Sequence, residues 1–231
     1  MTIAPALIRL VFHDCFIVGC DGFLLLNGTN GVEGRRDQIP TWSLKGFDVV
    51  EEIKSTLEFL CPGIVSYSDV LVLAVRDRRR DSLVSFPQIS LEDIKSPTDD
   101  LQTILQKFSG RNLSPRETVS LLGAHNTGAI HGDFIQDRLQ HFLGTGQPDF
   151  KIGADFLNMG APQKGFGTRY FQGLVQNMSV LHFDLEAYAA HNLLFTHDFS
   201  REMAKLSDHG ILTGPIRGQI RDTCSIVKTD L

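Results

Sequence analysis

Arg9 and His13 stand four residues apart in the run Ala6-Leu-Ile-Arg-Leu-Val-Phe-His-Asp-Cys15. On a helix that spacing puts a guanidinium and an imidazole on one face, with Phe12 beside them and Asp14 turned away. As a structural pair the two are poor, because neither offers the other a counter-charge. As a chemical pair they are good. The imidazole moves a proton near neutral pH, and the guanidinium stabilises negative charge that develops nearby. A second imidazole lies in Leu122-Gly-Ala-His125-Asn-Thr-Gly128, where small residues on both sides let a flat ligand or a metal come close. Read alone, His125 is a histidine at a helix terminus, stabilised there by the dipole.

Helices must position these groups, and their signals are clear. Phe47, Val50, Ile53, Leu57 and Leu60 recur at helical spacing, and Pro62 stops the run. Ser66-Tyr-Ser-Asp69 reads as a capping box opening a helix whose stretch from Val70 to Val75 is apolar all round and therefore buried. Thr98-Asp-Asp starts another, with Leu101, Ile104, Leu105 and Phe108 on one face and Gly110 as its stop. Ser114-Pro-Arg-Glu117 combines an N-cap, proline at the first position and glutamate at the third, and the helix it opens runs to His125. Further amphipathic helices are predicted over 133–142 and 199–206. Arg76 to Asp81 is a charge run typical of a solvated turn, and strand signals are few, so the predicted class is mainly α.

With 231 residues, 42% of them apolar, the chain can bury a sizeable core in one or two domains. Its net charge of -5 argues against a polyanion-binding surface, so nucleic acid is not an expected partner. No apolar run approaches the roughly 20 residues needed to span a bilayer, so no membrane partner is expected either. The N-terminal stretch to Arg9 does not read as a signal peptide, having no basic n-region. Cys15 and Cys20 are close enough to close a small loop, while Cys61 and Cys224 are isolated. Three sequons, at Asn27, Asn112 and Asn177, lean towards a secretory ancestry.

The combination Arg-x-x-Phe-His-Asp-Cys followed by x4-Cys-Asp resembles the distal helix of the plant-type secreted (class III) haem peroxidases. Gly-Ala-His125-Asn-Thr-Gly128 looks like that family's proximal haem-ligand segment. Ser43-Leu-Lys-Gly-Phe47, Cys61-Pro-Gly-Ile-Val-Ser66, Asp69, Arg79-Arg-Asp-Ser82, Phe166-Gly-Thr-Arg-Tyr170 and Gly218-Gln-Ile-Arg221 fall where the family has similar segments. The resemblance implies an α-helical fold of two halves sandwiching haem b, the distal half about 1–97 plus 199–231 and the proximal half about 98–198. It implies that His13 is the acid–base residue for hydrogen peroxide, Arg9 the charge stabiliser, Phe12 a flank of the haem and His125 the iron ligand. It also implies a Cys15–Cys20 disulfide and a distal calcium site formed by Asp14, Asp21 and the carbonyls of Ile17 and Gly19, with Glu33 reaching through water. Small phenolic donors, a monomer and an extracellular location complete that expectation.

The chain also departs from the family pattern. The N-terminal helix, with the cysteine that would pair with Cys61, is missing, which reads as a truncation. Tyr67 stands where the partner of Cys224 would be, and Gly132 with Gly160 or Ala161 replaces a whole bridge. Pro40 or Thr41 replaces the asparagine that orients the distal histidine, Phe23 a serine calcium ligand, and Lys95 a proline at the access edge. Asn126 replaces a threonine, and the proximal calcium site is expected to be lost. Gly167 falls where an aspartate would bond the proximal histidine. The expected function is a haem peroxidase. The alternatives are a catalytically weak relative and, in another class, a non-haem metal protein using His125, His131 and Asp133, whose spacings match no recognised zinc pattern.

Overall fold

The computed structural model describes residues 3–17, 19–26, 44–72, 94, 99–126, 167–168, 171–172, 186–213, 218–223 and 226–228. Among these residues the structure is helical, with no strand. None of the described helices is long and apolar enough to cross a membrane. The chain divides into two compact units, Ala6–Ile94 with Met203–Leu231, and Met1–Pro5 with Lys95–Glu202.

The first unit holds nearly all of α1 (Ile3–Ile17), together with α2 (Phe47–Leu60) and α3 (Tyr67–Val72). Leu10 of α1, Val50 of α2 and Tyr67, Val70 and Leu71 of α3 meet Leu24, Leu25 and Leu44 in one buried cluster. The predicted bounds of α2 hold at both ends. At the start of α3, Ser66 Oγ accepts from the Asp69 amide at 2.9 Å and Asp69 Oδ2 accepts from the Ser66 amide at 3.0 Å, the reciprocal pair the sequence announced. Leu60 differs from expectation. It is 69% exposed and Phe59 is 87% exposed, because Leu57 already reaches the edge of the cluster and the last turn projects past it. Lys54 is the reverse case, fully buried on α2, where it donates to the Val65 carbonyl at 2.6 Å and pairs with Glu58.

The second unit holds α4 (Leu101–Ser109), α5 (Pro115–Leu122), α6 (Glu186–Ala190) and most of α7 (Asn192–Ser207). Asp100 is the N-cap of α4, accepting from the Thr103 amide at 2.7 Å. Gly110 ends α4 in right-handed geometry, and the left-handed residue of the turn is Asn112, with φ of 58°. The capping box of α5 is complete: Ser114 Oγ accepts from the Glu117 amide, and Glu117 Oε2 accepts from the Ser114 amide at 2.6 Å. The helix expected over 199–206 begins earlier, at Asn192. Phe171, Tyr188 and Phe195 form an aromatic cluster with ring centroids 4.9 to 5.9 Å apart. The helix predicted over 133–142 lies outside the described residues.

Candidate active site

Apolar residues on one side of α1 anchor it to the core, and this fixes the direction of the side that carries Arg9 and His13. The Arg9 Nε–H donates to His13 Nε2 at 3.4 Å, so the shared face read from the spacing is realised. His13 is buried and Arg9 half-buried, and burial lowers the Arg9 pKa from its usual value. Phe12 stacks on Phe16 with centroids 4.9 Å apart and meets the His13 ring edge-on at 6.1 Å. Because Nε2 accepts from Arg9, it carries the lone pair in this arrangement, and it is the atom able to take a proton.

Immediately after this pair the chain turns through a tight acidic loop. Cys15 and Cys20 form the expected disulfide, with Cα atoms 4.0 Å apart. Gly19 takes a φ of 125°, and a Cβ there would lie 2.6 Å from the Gly210 Cα, so only glycine fits. Asp14 and Asp21 are both buried. Asp14 accepts from the amides of Gly22 at 3.0 Å and Leu24 at 3.1 Å, and Asp21 from the Phe23 amide at 3.0 Å. Burial, then the charge of Asp21, push the Asp14 carboxyl up to about 8, against the pull of its two backbone hydrogen bonds. Two buried carboxylates that raise each other's energy, on a loop rich in carbonyls, are a suitable donor set for a hard cation. Among the described residues no group of three or more His, Cys, Asp or Glu is placed to hold a metal, so an ion here would rely on carbonyl oxygens such as those of Ile17 and Gly19. Glu33 lies outside the described residues.

His125 belongs to the other unit. The α-helical geometry of α5 ends at Leu122, and the chain tightens into a 3-10 turn, Gly123–Asn126, that carries the imidazole. His125 is exposed, and its Nδ1 lies 2.8 Å from the Leu122 carbonyl. Gly123 is needed at the base of this turn, because a Cβ would overlap the Phe195 ring and come 2.7 Å from Phe171 Cζ. The opposite end of α5 is tied to α7 through Asp198, which accepts from Arg116 at 2.8 Å and from the Tyr188 hydroxyl at 2.8 Å. Burial opposes the Asp198 carboxylate, but hydrogen bonds from Arg116, Tyr188 and His197 outweigh it and hold the carboxyl at about 2. Gly167 lies beside α7, with its missing Cβ position 3.4 Å from Asn192 Oδ1.

Seven of the site residues read from the sequence, Arg9, Phe12, His13, Asp14, Ile17, Gly19 and Asp21, thus fall along α1 and the loop it enters. His131 and Asp133 lie outside the described residues. Two groups escaped sequence reading. Arg221 is fully buried and donates to the Gly22 carbonyl at 2.5 Å, and its charge favours the ionised form of Asp14. The Leu122 carbonyl is the other, and a backbone atom leaves no residue-type signal.

A peroxidase family model matches residues 1–78 and 79–205. The chain is 34% identical over 303 residues to putative peroxidase 48 of Arabidopsis thaliana, covering 97% of this chain and 75% of that one. It is 34% identical over 275 residues to peroxidase N1 of Nicotiana tabacum, covering 98% and 82%. The lignin-forming anionic peroxidase of Nicotiana tabacum is 34% identical over 269 residues, covering 96% and 82%.

Proposed function

Because the chain belongs to the peroxidase family, oxidoreductases acting on hydrogen peroxide, we propose that it is a haem b enzyme reducing peroxide with small phenolic donors outside the cell. The observation that carries this reading is the Arg9–His13 pair on α1. His125 fits haem as a donor. It is an exposed imidazole, and with Nδ1 engaged by a carbonyl the atom that would bind iron is Nε2. Haem held through His125 would supply the two electrons needed to cleave the O–O bond and would be re-reduced by the donors one electron at a time.

The protein's own residues do the rest. His13 Nε2 takes the proton from the attacking peroxide oxygen and returns it to the departing oxygen, which leaves as water. The Arg9 guanidinium stabilises the negative charge that develops as the O–O bond breaks. The sum is one hydrogen peroxide and two phenols giving two waters and two phenoxyl radicals. Phe12 lines the same face and is proposed to flank the haem. Asp14, Asp21 and the Ile17 and Gly19 carbonyls would hold calcium, and in doing so fix the loop that follows His13. We place the working form as a monomer. The test is turnover: the hemin-loaded chain should oxidise a phenol such as guaiacol with peroxide, and no turnover above free hemin would contradict the proposal.

A second reading has its own support. Gly167 provides no side chain at the position where the family resemblance expects a carboxylate for the proximal histidine. A weakly active relative that keeps haem would bind hemin through His125 and react only slowly with peroxide.

A further inference from the structure

We infer that the Leu122 carbonyl orients His125, fixing the proton on Nδ1 and presenting Nε2 as a neutral imidazole ligand already set before haem arrives. This rests on the reading of His125 as the iron ligand. A carbonyl oxygen only accepts, so at 2.8 Å the proton between the two groups belongs to Nδ1. The bond has a structural cause. The Gly123 N–H closes α5 on the carbonyls of Val119, Ser120 and Leu121, and the next carbonyl, that of Leu122, lies where the imidazole three residues on can reach it. The 3-10 turn shortens the reach, and the close approach of Phe171 and Phe195 to Gly123 holds the turn in place. One contact therefore finishes the helix and aims the ligand.

An uncharged acceptor has a chemical consequence. A carboxylate bonded to a ligating imidazole draws its Nδ1 proton and makes the ligand more anionic, which favours ferric and higher-valent iron. The Leu122 carbonyl draws that proton less, so the ligand stays neutral and reduced iron is less disfavoured. Gly167, where the family resemblance expects that carboxylate, is the position at which to test the difference, and a Cβ there makes only ordinary contact with Asn192.

The experiment uses the full chain with 15N-labelled histidine, the His125 signals being assigned by their loss in His125→Gln or His125→Ala. In the haem-free protein His125 should show a protonated Nδ1 and an unprotonated Nε2. Protonation at Nε2, or averaging between the two tautomers, would overturn the inference without touching the question of haem binding. In the hemin-loaded, reduced protein the iron–imidazole stretch should lie at the low frequency of a neutral ligand. Gly167→Asp should raise that frequency and lower the reduction potential. A stretch already high and unmoved by the substitution would overturn the inference while leaving the haem reading intact. Failure of the haem reading itself would be seen separately, as no Soret band that depends on His125.

Discussion

In the proposed reaction Arg9 and His13 would divide the work of peroxide cleavage between a charge and a proton. His13→Ala should slow the reaction of the hemin-loaded protein with peroxide by about 10²–10⁴-fold, measured by stopped flow, while leaving the Soret band in place. An unchanged rate would mean that the proton is moved elsewhere. This pair was legible in the sequence because its signal is local: two residues four apart on a helix need no tertiary knowledge. Lys54 and Arg221 were not legible. Both cations are fully buried: Lys54 pairs with Glu58 one turn along α2 but also donates to the Val65 carbonyl, and Arg221 donates to the Gly22 carbonyl, contacts that no local spacing announces.

At the scale of elements, the 3-10 turn that follows α5 carries His125, and the fixing of α5 at both ends sets how firmly that turn is held. Ser114→Ala removes the cap oxygen and should cost about 1 kcal/mol of stability in chemical denaturation. Gly123→Ala forces a methyl group against the Phe195 and Phe171 rings and should cost about 1–3 kcal/mol, with hemin affinity falling in parallel. The Arg116–Asp198–Tyr188 tie predicts a pH dependence of definite sign. The Asp198 carboxyl is depressed from 3.8 to about 2, so its contribution is full above pH 3.8 and is lost as pH falls towards 2. With Arg116 61% exposed, solvent screening keeps that contribution on the order of 1 kcal/mol. Asp198→Asn should flatten the acid limb of the stability curve, and an unaltered limb would exclude the tie as its cause. Helix bounds were legible where a single signal is strong, as with Pro62 after α2 and the Ser114–Glu117 box opening α5. The run expected to continue to His125 instead ends as α-helix at Leu122 and goes on as a 3-10 turn. The early start of α7 was not legible, because the stretch from Asn192 to Asp198 mixes polar and apolar residues without a clear period.

At the scale of the molecule, family membership was legible from two short motifs in the right order, and the family model and relatives bear it out. The effect of individual departures is less visible in sequence, because a lost side chain can be replaced by backbone, the role we propose for the Leu122 carbonyl beside His125. The acidic loop makes a prediction for the whole fold. If Asp14 and Asp21 hold calcium, the ion at about 100 times its dissociation constant should add about 2.7 kcal/mol of stability. A chelator should remove that gain, and Asp21→Asn should abolish it. Equal melting temperatures with calcium and with chelator would contradict a calcium site.

The claim on which everything else depends is that His125 ligates haem, and a hemin titration of the full chain followed by absorption tests it most directly. The account predicts a saturable Soret band at one hemin per chain in the wild type, and its loss or marked weakening in His125→Ala while His13→Ala retains it. A band of equal strength and affinity in wild type and His125→Ala would contradict the account.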